Sequence, residues 1–251
     1  MRVQPWGLIL LVACQPVAVE PAHQPVAEAA VAKRALLEHE ILLTGGATAD
    51  QPLPLLVAVH GMGSRPERFA GAFESMAAPA RVILPLAPHP TASGGGSWFG
   101  FRMDDPDREA FGRRVYEAAD QVVDLMSWAE GAFPTCGEPV ITGFSQGGMV
   151  SFAVAATWPD AIGAAVPVGG DLALTLVPAT APADPPPVIA FHGDADEVVP
   201  IGPVREAVGA LDAVGYDAAL HSYADVGHSI SPAMRADWHA AIAAQLGSCS
   251  P

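Results

Sequence analysis

The chain has 251 residues, of which 51% are hydrophobic and only 16% charged, so it can bury a sizeable core and does not have the composition of a disordered segment. Its formal net charge of −15 argues against nucleic acid or an anionic membrane surface as an electrostatic partner, and disfavours a strongly negative substrate. Length and composition fit one domain of ordinary α/β size behind a distinct N-terminal segment.

That segment comes first. Met1-Arg2 gives a small positive start, and Trp6 to Ala13 is an apolar run too short to span a bilayer as a helix. It ends Leu11-Val12-Ala13-Cys14, which resembles the lipobox of bacterial lipoproteins. The resemblance implies a signal peptide over residues 1–13, acylation of Cys14, and a location in the bacterial envelope on the outer membrane, or secretion if the run is an ordinary signal. Residues 14–35 then read as a proline-rich tether, and 36–251 as the folded domain.

Within the domain, alternating apolar runs and helical periodicities predict strands near 37–44, 55–60, 81–84, 139–144, 164–168, 187–192 and 217–223. Helices are expected near 66–78, 107–131, 147–157, 202–214 and 232–246. Strands alternating with helices imply a mostly parallel sheet covered on both faces. Ligands of such sheets bind beyond the carboxyl ends of the strands. The glycine-rich stretch 91–96 is expected to be mobile, and 177–187 to be an irregular connection or small cap. The spacing leaves no room for a large lid, and there are no internal repeats.

Four loops at strand ends carry chemistry. Gly143-Phe144-Ser145-Gln146-Gly147 joins a predicted strand to a predicted helix, the context a nucleophile elbow requires. A serine there needs a base, and in the order Ser…Asp/Glu…His both partners lie downstream. Of His192, His221, His228 and His239, only His228 sits in a loop beyond a strand, in Asp225-Val226-Gly227-His228-Ser229, while His192 reads as a turn-shaping residue. The turn His192-Gly193-Asp194-Ala195-Asp196-Glu197 offers three carboxylates for the acid. Oxyanion donors are expected from the Gln146 amide and from the Met62 amide in His60-Gly61-Met62-Gly63.

At these residues the chain resembles the α/β-hydrolase superfamily, and more narrowly the phospholipase/carboxylesterase group that includes acyl-protein thioesterases. The matching segments are His60-Gly61-Met62-Gly63, Leu84-Pro85-Leu86-Ala87-Pro88, Ser97-Trp98-Phe99, Gly143 to Gly148, His192 to Asp196 with Val199-Pro200, and Gly227-His228. The resemblance selects Asp196, three residues before the Val-Pro pair, as the acid. It also implies that His60, Gly61, Trp98 and Phe99 border the substrate. Gly100 stands where the family usually has an aspartate after Trp-Phe, which weakens any transfer of substrate.

The reading is a serine esterase of carboxylesterase or lysophospholipase type, acting on a small-molecule or lipid ester and using no cofactor or metal. The rival readings are a catalytically silent envelope lipoprotein that binds through the same fold, and a small peptidase of the superfamily. Cys136 and Cys249 could pair outside the cytoplasm or remain thiols, and the sequence leaves both open.

Overall fold

The computed structural model describes residues 35–100, 107–247 and 249, with Met1. Cys14 and nearly all of the expected leader and tether lie outside the described residues. The chain runs β1 (His39–Thr44), β2 (Leu55–Val59), α1 (Pro66–Ala70), β3 (Ala80–Pro85), β4 (His89–Pro90), β5 (Gly96–Ser97), α2 (Arg108–Ala132), β6 (Val140–Phe144), α3 (Gln146–Thr157), β7 (Ala164–Val168), β8 (Val188–Gly193), α4 (Ile201–Val214), β9 (Ala218–Tyr223) and α5 (Pro232–Gln245).

Seven strands form one sheet in the order β1-β3-β2-β6-β7-β8-β9, and β4 with β5 makes a separate hairpin. Only β1 is antiparallel to its neighbour; every other pairing in the large sheet is parallel. Because side chains alternate along a strand, β2 feeds both faces. Leu55, Val57 and Val59 join the core beneath α2, α3 and α4, while Leu56 and Ala58 pack with Phe69, Phe73 and the α5 residues Trp238 and Ile242. Burial on both faces explains why these strands read as continuous apolar runs.

Buried polar groups tie the layers together. Thr142 in β6 donates to Val166 O and accepts from Trp238 Nε1 at 2.8 Å, which fixes α5 against the sheet. At the end of the sheet away from Ser145, Cys136 and Cys249 are joined by a disulfide that closes a sequence separation of 113 residues.

Two sequence expectations need correction. The helix expected over 66–78 ends at Ala70. Beyond it Ala72, Phe73 and Met76 donate to carbonyls three residues back, so the buried spacing of Phe69, Phe73 and Met76 is met by successive turns. The stretch 91–96, expected to be mobile, is the tip of the β4–β5 hairpin. Gly63 donates to Gly96 O (2.8 Å) and Gly96 to Ser64 O (2.9 Å), stapling it to the loop after β2. Its glycines answer to space: a Cβ on Gly95 would collide with Gly63 O, and one on Gly96 would lie 2.6 Å from Ala87 O.

Candidate active site

The turn from β6 into α3 holds Ser145 at φ 59°, ψ −117°, in the left-handed half of backbone space where an L side chain is strained. The surroundings leave no alternative. A Cβ on Gly143 would sit 2.6 Å from Val59 O, and one on Gly147 would strike the same carbonyl. The Ser145 N–H is held by Val168 O of the neighbouring strand at 2.9 Å. Gln146 is the first residue of α3, so its N–H has no acceptor within the helix and sits at the positive end of the helix dipole.

His228, in the loop after β9, brings its Nε2 to 2.9 Å from Ser145 Oγ and its Nδ1 to 2.6 Å from Asp196 Oδ2. With Nδ1–H donated to the carboxylate, Nε2 carries the lone pair that faces the serine hydroxyl. The Phe144 ring lies against this imidazole, centroids 4.9 Å apart. Asp196 is buried, and its Oδ1 accepts from the N–H groups of Val198 (2.9 Å) and Val199 (2.8 Å). Asp194, the carboxylate two residues earlier, serves a different turn by accepting from the Asp225 N–H at 2.8 Å.

Sequence reasoning gave His192 only a turn-shaping role, and the structure gives it more. Its Nε2 donates to Val199 O at 2.8 Å and stands 3.5 Å from Asp196 Oδ2. Burial is the main effect on the ring and holds its pKa below the usual histidine value, so it braces the acid turn as a neutral donor. A His-Gly pair ending a buried strand was the available signal, but contact with Asp196 depends on how the turn folds back.

The residues expected to donate to the oxyanion or to border the substrate divide by exposure. Met62 projects into solvent, 57% exposed, and a Cβ at Gly61 would come within 3.2 Å of the Ser145 Cβ. His60, Trp98 and Phe99 are buried, at 0, 1 and 3% exposure, and serve as scaffold behind the elbow. His60 Nδ1 donates to Gly61 O (2.8 Å), its Nε2 accepts from the Ala87 N–H (3.2 Å), and its carbonyl accepts from Trp98 Nε1 (2.8 Å). Burial lowers its pKa, keeping it neutral in that arrangement. The Gln146 side chain ties the two loops together. Its Oε1 accepts from the Trp98 N–H (3.0 Å) and Ser97 Oγ (3.2 Å), and its Nε2 donates to Phe99 O (2.8 Å). These aromatic residues are thus fastened to the elbow from behind.

A second buried carboxylate lies at the same end of the sheet. Asp171 follows β7, is 2% exposed, and has Arg108 Nη2 3.8 Å from one oxygen; the other oxygen has no hydrogen-bond partner among the described residues. Desolvation pushes its pKa up to about 6, against the pull of Arg108.

The sheet order, the strained serine between β6 and α3, and the downstream acid and histidine at strand ends define an α/β-hydrolase. A model of the phospholipase/carboxylesterase family matches residues 46–245, and the chain belongs to that family. Acyl-protein thioesterase 1 of Gibberella zeae is 27% identical over 211 residues, covering 73% of this chain and 87% of the fungal protein. Among solved structures, esterase PE8 superposes with a TM-score of 0.70 at 22% identity, covering 84% of this chain and 100% of its own. Zea mays acyl-protein thioesterase 2 gives 0.65 at 22% identity, over 84% and 99% of the two chains. Bacillus cereus carboxylesterase gives 0.66 at 16% identity, over 82% and 95%. At these identities the structural likeness speaks for the fold.

Proposed function

We propose that the protein is a serine hydrolase of carboxylic esters that works through an acyl-enzyme on Ser145. The observation that carries this reading is the continuous hydrogen-bonded chain from Ser145 Oγ through His228 to Asp196, at 2.9 and 2.6 Å. His228 Nε2 takes the hydroxyl proton as Oγ attacks the ester carbonyl, and the resulting imidazolium is stabilised by Asp196 without proton transfer to it. The Gln146 and Met62 amides receive the negative charge that develops on the carbonyl oxygen. The proton then passes from Nε2 to the leaving alkoxide. Water, deprotonated by the same nitrogen, releases the acid and restores Ser145. Apart from that water and the substrate, the groups these steps use are side chains and amides of the chain itself.

The same steps would cleave a thioester, and the likeness to the Gibberella zeae protein supports that second reading. The Leu11-Val12-Ala13-Cys14 lipobox supports an envelope location instead, where esters of lipids or small molecules are the accessible substrates. Hydrolysis of p-nitrophenyl esters of graded acyl length, beside matched oxoester and thioester pairs, separates these readings in the full-length protein. A Ser145→Ala variant inert on all of them supports the acyl-enzyme; retained turnover refutes it. Loss of detergent-phase partitioning in Cys14→Ser supports the anchor, and unchanged partitioning refutes it.

A further inference from the structure

Beside the imidazole runs a groove of about 440 Å³ whose lining includes Arg68, Phe69, Phe144, His228, Ile230 and Arg235. It is a local exception in charge. The chain carries 27 acidic residues against 12 basic ones, yet two guanidinium groups and no carboxylate line this groove. Nearby acids are engaged elsewhere: Glu67 pairs with Arg65 at 3.4 Å, and Asp237 accepts from the Tyr223 hydroxyl at 2.8 Å. Arg235 donates to Ala72 O at 3.2 Å, which orients it without neutralising it.

The placement of Arg235 is costly by the ordinary rules. It lies in the first turn of α5, where the helix dipole disfavours a cation. Arg68 faces the same groove, and the His228 imidazole gains positive charge during the proposed reaction. Two guanidinium groups on one groove repel each other and the imidazolium that forms during the proposed reaction, and a bound anion would relieve that repulsion.

The chemistry of the step gives the groove its side of the substrate. The proposed acid, His228 Nε2, gives its proton to the departing alkoxide, so the alcohol half of the ester lies on the histidine side of Ser145. Phe69, Phe144 and Ile230 offer that half an apolar wall, and the arginines sit at its margin. We propose that the groove binds an alcohol half made of a short apolar stem bearing an oxyanion, carboxylate or phosphate. This rests on the catalytic reading of Ser145 and His228. It also revises locally what the net charge implies, because two guanidinium groups and no carboxylate line the groove that the alcohol half enters.

The test is a ratio of kcat/KM values in the full-length protein. One pair is a nitrophenyl butyrate carrying a ring carboxylate and its uncharged counterpart; the other is monobutyrylglycerol with and without a phosphate on the glycerol. The pair with the larger ratio identifies the preferred oxyanion. The proposal expects the charged-to-neutral ratio to fall about tenfold in Arg68→Gln with Arg235→Gln, to recover in part with lysine at both positions, and to fall with added salt. Arg68→Gln alone, at an exposed position of the short helix α1, should lower the ratio in the same direction and guards against misfolding of the double variant. A ratio unchanged by the substitutions overturns the proposal, and so does an equal fall on both members of each pair. Ser145-independent turnover of the neutral esters would instead remove the catalytic reading and the groove's role together.

Discussion

The turn at Ser145 and the turn at Asp196 both present one side chain at the end of a parallel strand, and they do it by opposite means. At the elbow the backbone itself is strained, and the restraint is steric: Gly143 and Gly147 leave no volume for any other path past Val59. At the acid turn the side chain folds its own loop, with Asp196 Oδ1 holding the amides of Val198 and Val199 while Oδ2 faces His228. Ser145 is thus positioned by what its neighbours lack, and Asp196 by what it bonds. Substituting the first functional side chain should spare the fold, and substituting the second should not.

The largest expected effect is on chemistry. Ser145→Ala should lower kcat/KM for p-nitrophenyl esters by about 10⁴-fold or more, with a thermal midpoint no lower than that of the parent protein. Asp196→Asn should lower kcat by about 10³-fold, because an amide cannot hold the Nδ1–H tautomer of His228 as a carboxylate does, and should also lower the midpoint. Asp194→Asn should stay within a few-fold of the parent in the same assay.

The steric side of the comparison is broken most directly by Gly147→Ala. Denaturant titration should show a loss of about 3 kcal/mol or more, since the added methyl meets backbone and no flexible side chain can yield. Asp171 sharpens the other side, being a buried carboxylate with few of the partners that Asp196 enjoys. Its pKa is raised from 3.8 to about 6, so the folded state binds the proton more tightly than the unfolded chain does. That contribution is fully present below about pH 4 and is lost as pH rises through about 6. Asp171→Asn should therefore gain stability over the parent at pH 8, by about 3 kcal/mol at most, and the gain should vanish below pH 4. The smallest effect on stability is expected from Ser145→Gly, which removes the strained Cβ and should stabilise the fold by about 1 kcal/mol while also abolishing turnover.

Much of this was legible in the sequence, for a reason the comparison makes plain. Steric restraint at the elbow is written locally: Gly-Phe-Ser-Gln-Gly after an apolar run states its own geometry, and the parallel sheet follows from apolar runs alternating with helical spacing. His228 was legible because a loop beyond a strand leaves few places for a base. Asp196 was separable from Asp194 only by family resemblance, since the bonds that distinguish them depend on the folded turn. The scaffold contacts of Trp98, Phe99 and the Gln146 side chain were not legible, because they join positions 47–49 residues apart. No local pattern shows that a glutamine beside the nucleophile has its side chain turned backward into the core. The early end of α1 is similar, because turns with three-residue bonds bury the same Phe69, Phe73 and Met76 as a helix would.

The central claim is that Ser145 is a nucleophile activated by His228, and fluorophosphonate labelling followed by peptide mass mapping tests it most directly. The account predicts one stoichiometric adduct, on Ser145, formed much more slowly in His228→Ala. An adduct on another residue, or no adduct in protein that still hydrolyses esters, would contradict it.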